Sequence, residues 1–352
     1  MKKTGRISWL GLLKFFASLM IIWCHTSLIR DGEEYNLKYT YLFVEFFLII
    51  SGYFIYKHFQ RSTAKQKTTD ESAKEALKYT FSRFVGYIPY VVVCVVAITL
   101  LEIIKSRPSD IGGLMSLLKI TPFEMIFLSS QTGLRLAPLW YLSALFIVMP
   151  LFAFLAQKMP RNLNYLLSLL FIIVIYGNYF NNLDQPRGVD SLIRVFTALC
   201  VGTCVYWAAE IISRFKLSDY RKIVLTILEI VSFLIAIALM WPASVEFVQA
   251  KPTEFLVIFL FSVSLTLLLS GNTYTSGISI GFFNLLEKLS MPIYLTHWVV
   301  IEFIQYYLME LSENKRILIL YLTTLACSIS LYAIIELYSI KKQQRLKRQT
   351  EK

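Results

Sequence analysis

Charged side chains are scarce in this chain, 16% of residues against 56% hydrophobic, and that scarcity excludes an ordinary soluble domain. Cysteine is also sparse: the five, at positions 24, 94, 200, 204 and 327, all fall inside apolar stretches, where small hydrophobic packing is the expected role. That placement predicts no disulfide framework. Cys200 and Cys204 share a helix face, but no third or fourth ligand lies nearby in sequence, so no metal site is expected. The chain has no P-loop, no glycine-rich nucleotide fingerprint and no internal repeat of useful strength. The first apolar stretch is too long for a signal-peptide core and no Ala-x-Ala cleavage site follows it, so it is expected to stay as a transmembrane helix.

What the chain has in quantity is apolar length. With a mean hydropathy of +0.58 it reads as an all-α, polytopic membrane protein. Ten runs approach the ~20 residues needed to cross the hydrocarbon core. They fall near 7–29, 40–57, 80–104, 136–157, 162–180, 190–212, 222–241, 252–270, 290–309 and 316–340. The interrupted segment 106–133 is expected to be an outer loop with an interfacial helix.

The net charge of +12 is concentrated at alternate connections: Lys2, Lys3 and Arg6, then Lys57 to Lys78, Lys158 and Arg161, Arg214 to Lys222, and the tail KKQQRLKRQTEK. By the positive-inside rule these connections and both termini face the cytoplasm. Orientation and anionic lipid account for the charge without nucleic acid. The expected organisation is one membrane domain, 1–340, and a basic cytoplasmic tail, 341–352.

Inside the first run stand Lys14 and His25. Eleven residues at about 100° each bring them to nearly one face, roughly 16 Å apart, with Ser18 between. An ionisable side chain facing lipid costs about 2 to 3 kcal/mol or more, so this stripe is expected to face protein or water. A snorkelling Lys14 and a His25 capping the helix end fit the same pattern. In the second run Glu45 falls at a depth similar to that of His25. A carboxylate beside an imidazole orients the ring and raises its basicity, the arrangement of a general base; a structural ion pair has the same sequence appearance.

Lys14 to His25, with its eleven-residue spacing, resembles the basic-residue-to-histidine signature of the membrane-bound acyltransferase-3 family. VEFFLIISGYFI (44–55), FSRFVGYIP (81–89), PLWYLSALF (138–146) and LSMPIYLTHW (289–298) resemble further motifs of that family in the right order. The resemblance implies a ten-helix enzyme of the envelope-polysaccharide O-acyltransferase type. It would move an acyl group, most often acetyl, from cytoplasmic acyl-CoA to a hydroxyl of a cell-envelope glycan or lipid-linked sugar. No bound cofactor is implied, acyl-CoA being a substrate, and the setting would be a bacterial cytoplasmic membrane.

The same resemblance implies that His25 is the catalytic histidine, supported by Glu45. It places Lys14, Arg83, Tyr294 and His297 at the acyl donor, with Lys57 and Lys78 as further phosphate contacts. His297, seven residues past the start of its run, is expected about 10 Å in from the cytoplasmic side, on the path of an incoming thioester. Trp140, Ser143 and Arg135 are candidates for the acceptor or oxyanion pocket. Two departures stand out: Gly86 occupies a position where relatives often have a second basic residue, and no extracytoplasmic hydrolase-like domain of the kind some relatives carry is expected after the last helix. The chain is expected either to finish the transfer itself or to pass the acyl group to a separate extracytoplasmic transferase. Direct transfer and an acyl-enzyme on His25, Ser51 or Tyr53 both remain open, although Ser51 and Gly52 also suit close helix packing. The alternative reading is a transporter or flippase for a glycan or lipid-linked sugar, with Lys14, Glu45 and His25 as a proton relay.

Overall fold

The computed structural model describes residues 7–32, 37–62, 68–106, 115, 136–179, 189–241 and 250–350. They form ten α-helices and no strand. In chain order these are α1 (Ser8–His25), α2 (Phe43–Ser62), α3 (Thr69–Ser106), α4 (Leu139–Lys158), α5 (Arg161–Val174), α6 (Val189–Ser213), α7 (Asp219–Leu239), α8 (Ala250–Ser270), α9 (Gly281–Tyr307) and α10 (Glu313–Thr350). Every expected span falls on one of them. The expected interfacial helix in 106–133 and Arg135 lie outside the described residues, apart from Ser106 and Met115.

Eight helices are long and apolar enough to cross a membrane, making this a polytopic membrane protein. The two others depart for local reasons. α5 has 14 residues before it passes into a π-helical turn, Ile175–Tyr179. α9 carries Glu287, Lys288 and Glu302 along its length, which lowers its hydropathy. It begins nine residues before the expected boundary of 290, because protein partners satisfy the charges in its first turns. The chain starts α3 well before 80: Thr68 and Glu71 form a capping box, with the Thr68 backbone N–H donating to Glu71 Oε2 at 2.8 Å and the Glu71 N–H to Thr68 Oγ1 at 3.2 Å. At 38 residues, α3 is about 57 Å long and overreaches a ~30 Å hydrocarbon core. α10 likewise continues through the expected tail to Thr350.

Helix direction follows from the register of contacts. Glu45 meets Arg194, and Tyr56 meets Tyr206, so α2 and α6 run parallel. Ser8 meets Asn284 and Ser18 meets Ser290, so α1 and α9 also run parallel. α1 opposes α2, with Phe16 against Phe43 and Lys14 against Phe54. This is the alternation that odd and even crossings require.

α2 occupies the centre, packed against α1, α4, α6 and α8. Small residues let backbones approach where lipid supplies no hydrophobic drive for helix association. A Cβ on Gly52 would lie 2.3 Å from the Leu199 carbonyl oxygen, and one on Gly202 would lie 2.4 Å from that of Ile49. Glycine is required at both positions by contact alone. The expectation that Gly52 serves close packing therefore holds. All five cysteines are free thiols.

Candidate active site

The parallel α1–α9 pair carries four of the candidate residues, Lys14, His25, Tyr294 and His297. At its basic end Lys14 Nζ donates to Glu287 Oε1 at 2.8 Å. One turn on, Ser18 Oγ donates to the carbonyl oxygens of Lys14 and Ser290, both at 3.1 Å, and ties the helices together. At the far end the rings of His25 and His297 stack, with centroids 5.3 Å apart and planes 21° from parallel. Trp298 closes edge-on against His25 at 5.3 Å.

This placement corrects the expected depth of His297. Because α9 starts at Gly281, His297 lies sixteen residues, roughly 24 Å, along the helix, level with His25 and not near the basic end. It is fully buried, whereas His25 is partly exposed. The turn after His25 is anchored: Arg30 lies over Trp23 at 4.9 Å and pairs with Glu313 at 2.6 Å, Arg316 pairs with Asp31, and Gln305 donates to the Leu28 carbonyl at 2.9 Å.

The tautomer of His297 follows from its contact with the Ile293 backbone. Nδ1 lies 3.3 Å from the Ile293 carbonyl oxygen, which can only accept, so Nδ1 carries the proton. Nε2 then holds the lone pair of the neutral ring. That atom is buried and has no hydrogen-bond partner.

Glu45 does not support His25 as expected. Its Oε1 accepts from Arg194 Nε at 2.7 Å, and both side chains are almost wholly buried. The Arg194 guanidinium lies 5.1 Å over the ring of Trp140, so the predicted Trp140 is brought to the cluster through a cation the motif reading passed over. Glu45 Oε2 and the Tyr176 hydroxyl are buried without a hydrogen bond, leaving one carboxylate oxygen and one phenol beside Arg194 for a polar group to meet. Tyr41 donates to Glu254 in the same region. Ser143 is buried on α4.

Between the basic end and the histidines lies a cavity of about 410 Å³, within the ~300–1,000 Å³ usual for ligand sites. Lys14, Glu287, Lys288 and Glu336 line its charged part, and Ser51, Tyr141, Ser290 and Tyr294 line the deeper part. Tyr294 donates to the Pro138 carbonyl at 3.0 Å, and its ring centre is 6.1 Å from that of His297. Two candidate donor residues, Lys14 and Tyr294, therefore share one cavity. Arg83 is exposed over Tyr79, three residues before Gly86, which lines that cavity and has open space where a side chain would grow. Lys57 donates to the Tyr53 hydroxyl at 3.1 Å, and Lys78 is exposed.

Arg194, Glu287 and Lys288 were missed as site residues. Arg194 had a signal, being a cation inside an apolar run. Glu287 and Lys288 fell just outside the boundary drawn at 290.

A bundle of apolar helices enclosing paired imidazoles above a charged cavity defines a multi-pass membrane protein with a built internal site. The chain belongs to the acyltransferase-3 family, whose model, described as an acyltransferase domain, matches residues 7–333. The protein is thus a membrane acyltransferase. No curated protein and no solved structure matches the chain.

Proposed function

We propose that this acyltransferase takes an acyl group, acetyl by default, from cytoplasmic acyl-CoA and delivers it to a hydroxyl of a cell-envelope glycan or lipid-linked sugar across a bacterial cytoplasmic membrane. The observation that carries this reading is the cavity that leads from Lys14, Glu287 and Lys288 at the basic end to Tyr294, one turn below the histidine pair. A thioester on a slender pantetheine arm fits such a path. The multiply charged nucleotide would stay outside, where Arg83, Lys57 and Lys78 offer cations. Inside the cavity the charges balance, Lys14 against Glu287 at 2.8 Å and Lys288 against Glu336 at 3.9 Å, which suits an uncharged arm better than a phosphate.

At the other end, partly exposed His25 would take the proton of an acceptor hydroxyl arriving from the opposite side. Arg194, held by Glu45 over Trp140, supplies a cation for the acceptor or for the oxyanion that forms at the acyl carbon. A separate extracytoplasmic transferase is a further candidate recipient of the acyl group.

The test is transfer from radiolabelled acetyl-CoA in proteoliposomes, with a crude envelope glycan as acceptor. Label on the glycan with the native protein, lost with folded His25→Ala, is the expected result. Proton-coupled movement of a labelled glycan without acyl-CoA turnover would instead establish the transporter reading.

A further inference from the structure

The stacked histidines differ in what they can do. His297 is buried with its Nδ1 proton committed to the Ile293 carbonyl at 3.3 Å, and its Nε2 lone pair meets no donor. Buried polar atoms are nearly always satisfied, so an orphan at a candidate catalytic centre points to a ligand or a reaction that uses it. His25 is partly exposed at the end of α1. Ring nitrogens direct their lone pairs and N–H bonds in the ring plane. Two rings stacked at 5.3 Å and 21° therefore do not hand a proton directly to one another. They are two separate groups, and a positive charge on one opposes a second on the other.

We propose that His297 Nε2 is the nucleophile that carries the acyl group, and that His25 is the base that deprotonates the acceptor. This rests on the acyl-CoA reading above. In the first step the Nε2 lone pair attacks the thioester carbonyl, the N–C bond forms, the C–S bond breaks and the electron pair leaves on the thiolate. The product is an acyl-imidazolium that keeps its Nδ1 proton on the Ile293 carbonyl. Its positive charge holds the stacked His25 neutral, the state a base needs.

In the second step the acceptor oxygen attacks the acyl carbon as His25 takes the hydroxyl proton. The N–C bond breaks, its electron pair returns to Nε2, and the charge passes from His297 to His25. His25 finally gives up its proton, one proton reaches the thiolate, and ester and thiol are released. The histidine pair carries a single positive charge through both intermediates, and no other reactant is consumed.

The position of His297 suits the role. Tyr294, one turn before it on α9, lines the cavity by which the thioester would arrive and is held by its hydrogen bond to the Pro138 carbonyl, while His297 lies beyond the lining residues. Entry of the acyl group requires this phenol to turn aside.

The experiment omits the acceptor. Native protein in detergent is mixed with acetyl-CoA and radiolabelled CoA, and exchange of label into acetyl-CoA is followed. A parallel sample with radiolabelled acetyl-CoA is quenched and the protein is mapped for a hydroxylamine-labile acyl group. Exchange is expected, with the label on the peptide containing His297.

His297→Asn keeps a donor for the Ile293 carbonyl but has no nucleophile, and exchange should fall by at least about 10²-fold. His25→Gln should retain labelling of the His297 peptide while losing transfer to glycan, and thermal unfolding of His297→Asn in detergent at the native midpoint separates a lost nucleophile from a lost fold. Glycan transfer by the native protein without exchange or labelling would overturn the inference, as would a label on another residue or persistent exchange in His297→Asn. A native protein that neither transfers nor exchanges would overturn the acyl-CoA reading itself, and this inference with it.

Discussion

At the basic end of the α1–α9 pair, Lys14 and Glu287 keep 18% and 19% of their side-chain surface, line a cavity and satisfy each other. At the opposite end His297 keeps none, and its Nε2 has no partner. One pair of parallel helices thus presents a partly exposed, charge-balanced entrance and, about 16 Å away at His297, a buried, unsatisfied atom. An entrance tolerates exchange of ion-pair partners, because water compensates a broken contact. A buried site does not, so its groups must be held by the fold. The neighbouring Glu45–Arg194 pair belongs to the buried kind, which explains why it sits on α2 and α6, two of the most tightly joined helices.

The largest test of this contrast is His25→Gln at the histidine end. Removing a positioned base should lower turnover about 10²–10⁴-fold without raising the KM for acyl-CoA, as steady-state kinetics would reveal. A matching rise in KM would move His25 to the donor side and break the contrast.

Next comes Arg194→Leu, which leaves the Glu45 carboxylate buried and unpaired. The expected loss is about 3–5 kcal/mol, read as thermal or denaturant unfolding in detergent, and the double variant Glu45→Leu, Arg194→Leu should recover much of it. Failure of the double variant to recover would mean that the pair does more than cancel its own charges.

Smaller is Gly52→Ala. The new methyl group would meet the Leu199 carbonyl at 2.3 Å, so α2 and α6 must separate, at about 1–3 kcal/mol by the same unfolding measurement. The separation should also lower transfer activity, because Glu45 and Arg194 reach across this contact.

The smallest effect belongs to the partly exposed end. Glu287→Gln should change the KM for acyl-CoA by less than about tenfold and leave turnover nearly intact, since a partly exposed pair is worth only about 1 kcal/mol or less. A collapse of turnover there would show the entrance to be part of the chemistry.

The helices were legible because lipid leaves the backbone few options. Every uncharged run near 20 residues must be helical to satisfy its own amides, and all ten expected runs fall on helices. Legibility failed where tertiary partners changed the cost of a charge. Glu287 and Lys288 looked like a boundary because an unpaired ion ends a span. Lys14, Tyr332 and Glu336 remove that penalty and let α9 begin at Gly281. The same error displaced His297 toward the wrong end, since depth was counted from a helix start set nine residues late. Arg194 lay in plain view inside an apolar run, but its partner stands 149 positions away.

The sequence by itself determined the class of protein, the placement of its apolar helices, the charge asymmetry and the motif order that marks an acyltransferase, because composition, periodicity and local order are properties of neighbours along the chain. Only the tertiary structure decided which ionisable groups meet: Glu45 with Arg194, Lys14 with Glu287, His25 with His297. Those pairings depend on the rotation, direction and register of helices far apart in the chain. Register is set by close backbone contacts such as those of Gly52 and Gly202, which no single segment encodes.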